Sequence, residues 1–139
     1  MGRSISPRRS IESSLVSAVI GYLYDRRHYV LRTNSGVAWS RDGKHPVRLC
    51  PRGTPDIHAM LTDGTGRLLV LEAKAPGART DPELAAIQDA VLERVARQGG
   101  IAAKIDSIDQ IAALLEDVAA ARASDIPWTP TVRDLRRGT

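Results

Sequence analysis

The sequence contains a single cysteine, Cys50, in 139 residues. That excludes an internal disulfide and a cysteine-rich zinc site, and leaves Cys50 expected to be inert. No apolar run approaches the ~20 residues needed to span a bilayer. The first ten residues, MGRSISPRRS, are basic but lack the apolar stretch of a signal peptide. There is no internal repeat. These absences predict a soluble, cytoplasmic protein without membrane association. Acid is also scarce in one region: residues 26–52 hold Arg26, Arg27, Arg32, Arg41, Lys44, Arg48 and Arg52 against Asp42 alone.

Hydrophobic residues make up 42% and charged residues 26%, enough for a core and against disorder away from the ends. The length suits one domain. We expect residues 1–9 as a basic arm, 10–124 as the folded domain and 125–139 as a tail or partner-bound arm. The net charge is +4, unevenly spread. Against the basic stretch stands residues 80–124, where Asp81, Glu83, Asp89, Glu93, Asp106, Asp109, Glu116 and Asp117 outnumber Arg94, Arg97, Lys104 and Arg122. Either one face meets a polyanion, or an uneven surface is simply solvated; charge alone leaves both open.

Hydrophobic periodicity orders the chain. Ile11, Leu15, Val19 and Leu23, widened by Val16 and Ile20, predict a helix from about Ser10 to Arg27. Tyr29–Thr33 reads as a strand and Asn34-Ser35-Gly36 as a turn. Val37–Trp39 and Pro46–Leu49 are expected as a hairpin around Asp42-Gly43. A better-defined hairpin follows, with arms Pro55–Thr62 and Arg67–Lys74. Thr80-Asp81-Pro82-Glu83 supplies an N-cap, a first-turn proline and a capping-box acid for a second helix. Its expected buried stripe is Leu84, Ile87, Val91 and Val95, and Gly99-Gly100 ends it. Ile101–Ile105 is a short strand. Ser107 and Gln110 form a capping-box pattern for a third helix burying Ile108, Ile111, Leu115 and Val118. Helices around a strand cluster predict an α/β fold: a mixed central sheet flanked by helices.

The second hairpin carries the chemistry. Side chains alternate along a strand, so register decides whether Asp56 and Glu72 meet. A turn centred on Gly64 pairs Asp56 with Glu72, His58 with Val70 and Met60 with Leu68. Lys74 then shares the face of Glu72. The opposite face holds Ile57, Ala59, Leu61, Leu69, Leu71 and Ala73, core throughout. Two carboxylates and a lysine at the end of a buried sheet are costly to desolvate unpartnered. A hard cation, Mg²⁺ or Mn²⁺, prefers such oxygens and accepts substrate phosphate. The plain alternative is a Glu72–Lys74 ion pair beside an ordinary Pro-Asp turn.

Thr54-Pro55-Asp56, a hairpin, then Glu72-Ala73-Lys74 resembles the PD-(D/E)xK nuclease superfamily, and the wider context resembles its VRR-NUC branch. The resemblance runs from about Ser10 to Glu116. Its parts are Glu12 in the first helix, Arg32-Thr33-Asn34-Ser35-Gly36, Arg52-Gly53-Thr54-Pro55-Asp56, Leu71-Glu72-Ala73-Lys74, Gln88, and Gly99-Gly100 before a short strand. Ala73 is smaller than the usual valine or isoleucine, and residues 41–51 elaborate the pattern. The resemblance implies a PD-(D/E)xK restriction-endonuclease-like core of bacterial or phage origin. It implies Asp56, Glu72 and the Ala73 carbonyl as metal ligands, with Glu12, Lys74 and Gln88 completing the catalytic set.

Read without the resemblance, Glu12 simply suits the dipole of a first helical turn, and Gln88, between Leu84 and Leu92, makes a buried hydrogen bond. His58 is a neighbour rather than a ligand. Trp39 either stacks on a nucleobase or packs. Arg32, Arg41, Lys44, Arg48 and Arg52 are the candidate phosphate contacts, positioning DNA without base readout. The expectation is a Mg²⁺- or Mn²⁺-dependent DNA endonuclease; as the resemblance implies, it would be structure-selective, for branched DNA such as four-way junctions, and act as a homodimer, with Trp128 in the tail as candidate glue. A non-catalytic DNA-binding module on the same fold is the alternative, and an interaction domain for an acidic protein is a third.

Overall fold

The computed structural model of the protein describes residues 7–33 and 37–137. Its elements run α1 (Pro7–Asp25), β1 (Tyr29–Arg32), β2 (Val37–Trp39), β3 (Pro46–Arg48), β4 (Ile57–Met60), β5 (Leu68–Ala73), α2 (Pro82–Arg97), β6 (Ile101–Ile105), α3 (Asp109–Ala123) and β7 (Arg133–Asp134). The turn expected at Asn34-Ser35-Gly36 and the first six residues of the expected basic arm lie outside the described residues. The rest of that arm is not separate: α1 begins at Pro7, a residue whose fixed φ suits a helix's first turn.

Five strands form one mixed sheet in the order β1-β4-β5-β6-β7, while β2 and β3 pair in a second, two-stranded sheet. The β4–β5 hairpin has the expected register, with Ile57 opposite Leu71, His58 opposite Val70 and Met60 opposite Leu68. Period-two alternation then sorts the side chains. Ile57, Ala59, Leu61, Leu69, Leu71 and Ala73 are all buried in one core. Val16, Val19 and Leu23 of α1 and Ile111, Leu114 and Val118 of α3 pack on that face. On the other face α2 lays Leu92 and Ala96 over Val70 and Ala102. The sheet is thus sandwiched between α1 with α3 and α2.

The chain ends depart from expectation most. The segment 125–139, expected as a tail or partner-bound arm, returns to the sheet over its described part, 125–137. Arg133–Asp134 pairs parallel with Ala103–Lys104 of β6, and Leu135 N–H donates to Lys104 O at 3.0 Å. Trp128, expected as dimer glue, packs instead against its own core, with the Arg133 guanidinium 4.6 Å above its ring.

Two helix stripes also rotate. In α2 the fully buried residues are Leu92 and Ala96, with Leu84, Ile87, Val91 and Val95 flanking at intermediate exposure. Asp81 is the N-cap, its carboxylate accepting from Leu84 N–H at 3.2 Å. That frees Glu83 from the expected capping box, and it faces Arg52 at 3.5 Å. In α3 Gln110, Ile111, Leu114 and Val118 are buried, whereas Ile108 is exposed. Gln110 reaches back to Asp106 N–H at 2.8 Å and Ser107 N–H at 3.3 Å, but Ser107 Oγ makes no return bond. The tight Ile111 N–H to Ile108 O turn moves the helix start past the residue whose side chain should have capped it.

α1 ends in a Schellman motif. His28 N–H bonds Leu23 O at 3.1 Å, Arg27 N–H bonds Tyr24 O at 2.9 Å, and Arg27 sits at φ 65° where glycine is usual.

Candidate active site

Asp56 stands just before β4, and its placement follows from where the backbone ladder stops. Thr33 N–H donates to Asp56 O at 2.7 Å, tying its backbone to β1. The β4–β5 pairing ends at Ile57 and Leu71, and the Asp56 carboxylate takes the next free donor, Ala73 N–H, at 2.8 Å. Pro55 before it is fully buried. Gly53, at φ 86°, lets the preceding loop lie so close to α2 that a Cβ there would collide with the Ile87 side chain. The loop bearing Asp56 and the helix bearing Gln88 are therefore locked together.

Glu72 is on the same face of β5, 3% exposed. Its Oε1 accepts from Lys74 Nζ at 3.1 Å and from Gln88 Nε2 at 2.9 Å. Its Oε2 is buried with no hydrogen-bond partner. Lys74, 13% exposed, is held by its own N–H bonding Ile105 O at 2.9 Å. Glu12 Oε1 accepts from Ala75 N–H at 3.3 Å, joining α1 to the end of β5. Because α1 starts at Pro7 and has no acid in its first turn, the helix dipole does not explain Glu12. Gln88 makes the part-buried hydrogen bond expected of it, and the acceptor is Glu72.

The electrostatics are those of carboxylates deprived of water. Burial pushes Asp56 up from its ordinary value; Ala73 N–H and Lys74 oppose this, Glu12 adds to it, and Arg32 pulls it down. Burial raises Glu72 to about 7, with repulsion from Asp56 adding and Lys74 opposing. Ionising both acids is therefore costlier here than in water, and at neutral pH Glu72 lies near the middle of its titration. His58 bonds Thr33 Oγ1 through Nδ1 at 2.5 Å, and burial lowers its basicity.

The donor set fits a hard divalent ion. Mg²⁺ is commonly held by one or two carboxylates together with waters and substrate phosphate. Asp56 and Glu72 supply the carboxylates, and the orphaned Glu72 Oε2 is the kind of buried acceptor a cation would satisfy. Among the described residues no group of three His, Cys, Asp or Glu side chains forms a metal cage; the bond of Glu12 is to Ala75 N–H, and its charge acts on both Asp56 and Glu72.

The expected DNA contacts divide. Arg32 lies near enough to act on Asp56 and reaches Ser13 Oγ at 3.5 Å. Arg52 is exposed and paired with Glu83. Arg41, Lys44 and Arg48 stand exposed on the β2–β3 hairpin, and no ion pair joins them to the acids among the described residues. The hairpin tip is well made: Gly43 N–H bonds Ser40 O at 2.8 Å, Lys44 N–H bonds Asp42 Oδ1 at 3.0 Å, and Gly43 has φ 72°. Trp39 is 64% exposed on it.

A cleft of about 250 Å³ opens beside Glu72 and Lys74, bounded also by Arg79, Gln88, Lys104 and Arg136. A larger one, about 370 Å³, lies at the other end of the sheet by His28 and Asp63, away from the acids. Arg79, Lys104 and Arg136 were missed in the sequence. Lys104 had a signal, a lone cation in the strand Ile-Ala-Ala-Lys-Ile, and the parallel register sets it opposite Glu72. Arg136 had none, because its segment gave no strand periodicity.

No family model, curated protein or solved structure matches the chain.

Proposed function

We propose that the protein is a metal-dependent DNA endonuclease with a PD-(D/E)xK-like core, hydrolysing phosphodiester bonds at Asp56 and Glu72. The observation that carries the proposal is the buried Glu72 carboxylate, one oxygen held by Lys74 and Gln88 and the other unpartnered. Asp56, Glu72 and the Ala73 carbonyl would hold Mg²⁺ or Mn²⁺. When bound, such an ion polarises a phosphate oxygen and acidifies a bound water. Lys74 orients the attacking water or offsets charge developing on the phosphate. Gln88 fixes the Glu72 rotamer, and Glu12, through Ala75, fixes the end of β5. Arg32 and the basic hairpin bind the DNA backbone.

The alternative is a non-catalytic DNA-binding module on the same fold, in which Lys74 serves only as the ion-pair partner of Glu72. A panel of duplex, flap, single-stranded and four-way DNAs, incubated with Mg²⁺, Mn²⁺ or EDTA, separates the two. Cleavage of at least one substrate with metal but not EDTA is expected, with branched DNA preferred. Tight binding of every substrate with none cleaved would replace the nuclease by the module.

Homodimerisation is part of the proposal, since a junction has two equivalent strands to cut. With Trp128 packed in its own core, the candidate surface is β1. It is an edge strand of the five-stranded sheet, and Tyr29 and Leu31 on it are exposed, with Met60 opposite Tyr29. Antiparallel pairing of β1 with its own copy is self-complementary. Sedimentation at micromolar concentration should give a dimer; a monomer that still cuts junctions removes the dimer from the mechanism.

A further inference from the structure

Beyond the acids, the cleft beside Glu72 has a cationic wall to which the proposed chemistry assigns no role. Lys104 projects from β6 on the same sheet face as Glu72, its register partner. Arg136 comes from the C-terminal segment and Arg79 from the loop after β5. Lys104 and Arg136 are only 16% and 17% exposed, so their charges are directed into the cleft rather than spread over the surface. Each is braced by an acid: Lys104 forms a close ion pair with Asp89 of α2, and Arg136 grips Asp134 through Nε at 2.9 Å and Nη2 at 2.8 Å. The segment carrying Arg136 is itself pinned on both sides. Leu135 N–H bonds Lys104 O at 3.0 Å, and Arg137 N–H bonds Asp106 Oδ2 at 2.9 Å. Arg79 is exposed and makes no ion pair among the described residues.

We infer that this wall binds the backbone phosphate next to the one being cleaved, with Arg79, Lys104 and Arg136 as substrate-positioning residues. The inference rests on the nuclease reading and adds a second phosphate subsite to it. Lys104 on β6 is the register partner of Glu72 on β5, roughly one strand spacing of 4.8 Å away. A DNA strand that runs across the sheet with its scissile phosphate at Glu72 passes its next phosphate over β6. Arg136 spends Nε and Nη2 on Asp134, which fixes its guanidinium and lowers the ordering cost on binding, and Nη1 remains to donate to a phosphate oxygen. The second anchor also explains why the C-terminal segment returns to the sheet: β7 is two residues long and adds little to the ladder, but it delivers Arg136 to the site.

The test uses the full chain and a DNA substrate that wild type cleaves, or, failing cleavage, the one it binds most tightly. Single methylphosphonates, which are uncharged, are placed in turn at the phosphates flanking the cut, or along the strand where no cut occurs. Binding is read in Ca²⁺ and cleavage in Mg²⁺. Wild type should lose about tenfold in affinity at one of these positions. Arg79→Ala combined with Arg136→Ala should lose about tenfold on unmodified DNA and less than twofold more on the neutralised strand. KM should rise with kcat nearly unchanged, and the duplex salt slope should fall by about 0.9 for the one phosphate no longer neutralised. Arg79→Lys should restore most of the binding, and Arg79→Ala alone, which removes no described ion pair, should show the same cycle at smaller size. Equal losses on neutralisation in wild type and variant would overturn the subsite while leaving the nuclease reading intact. Failure of wild type to bind any DNA would overturn both.

Discussion

Glu72→Gln should make the apo protein more stable at pH 8 while destroying the site. Glu72 is buried, and its pKa moves from an ordinary 4.5 to about 7, chiefly by desolvation and secondarily by repulsion from Asp56. An acid whose folded pKa is raised binds more protons folded than unfolded between those two values. Its contribution is therefore neutral below about 4.5, grows more destabilising up to about 7, and stays constant above. Each pKa unit corresponds to about 1.4 kcal/mol, so the full cost at pH 8 is about 3 kcal/mol, part of it shared with Asp56. The amide cannot ionise, so the difference between variant and wild type should be near zero at pH 4.5 and about 2–3 kcal/mol in the variant's favour at pH 8. Urea denaturation in EDTA at both pH values measures it, and comparing the two proteins cancels the titrating groups that do not interact with Glu72; the part shared with Asp56 stays in the difference. Mn²⁺ should stabilise wild type strongly at pH 8, less at pH 5, and the variant little at either, because a cation must displace the proton. A variant no more stable than wild type at pH 8 would mean that Glu72 is not held as a strained, desolvated carboxylate, and the argument for a cation would go with it.

Other substitutions probe the scaffold and the basic surface. Gly53→Ala should cost about 2–4 kcal/mol, from a positive φ and the collision with Ile87, and should lower any metal-dependent activity of the residual folded fraction by shifting α2 and Gln88; urea denaturation alongside single-turnover cleavage checks both. Arg27→Gly should stabilise the fold by roughly 0.5–1 kcal/mol, since the Schellman position has φ 65°; an unchanged urea midpoint would contradict this. Lys44→Ala with Arg48→Ala should flatten the log–log salt dependence of duplex binding by about 0.9 for each phosphate the hairpin no longer neutralises. An unchanged slope would mean that the hairpin does not face the DNA.

What could be read in advance followed from short-range rules. Alternation and a single turn placed Asp56 opposite Glu72 and sorted six core residues to one face, because a one-residue slip would have buried the wrong set. The Asp42-Gly43 hairpin and the Ile101–Ile105 strand were legible for similar reasons. What failed depended on partners far along the chain. Pattern alone did not show that α2 turns Leu92 and Ala96 inward, because that depends on Val70 and Ala102 beneath them. Nor did it show that a Pro-rich segment would supply β7, a strand of two residues made by its neighbour rather than by its own periodicity. Arg136 was invisible for that reason. Lys104 was visible, but needed the parallel β5–β6 register before its position opposite Glu72 had meaning. Glu12 needed the observed start of α1, which moves it out of the first turn.

The central claim is that Asp56 and Glu72 act together on a phosphodiester bond with a divalent ion. It is tested most directly by single-turnover cleavage of the best DNA substrate by wild type and Asp56→Ala in Mg²⁺ and in Mn²⁺, with circular dichroism to check the fold. Metal-dependent cleavage by wild type, falling at least about 10³-fold in a folded Asp56→Ala protein, is the predicted result. Cleavage at the wild-type rate by the variant would contradict the assignment.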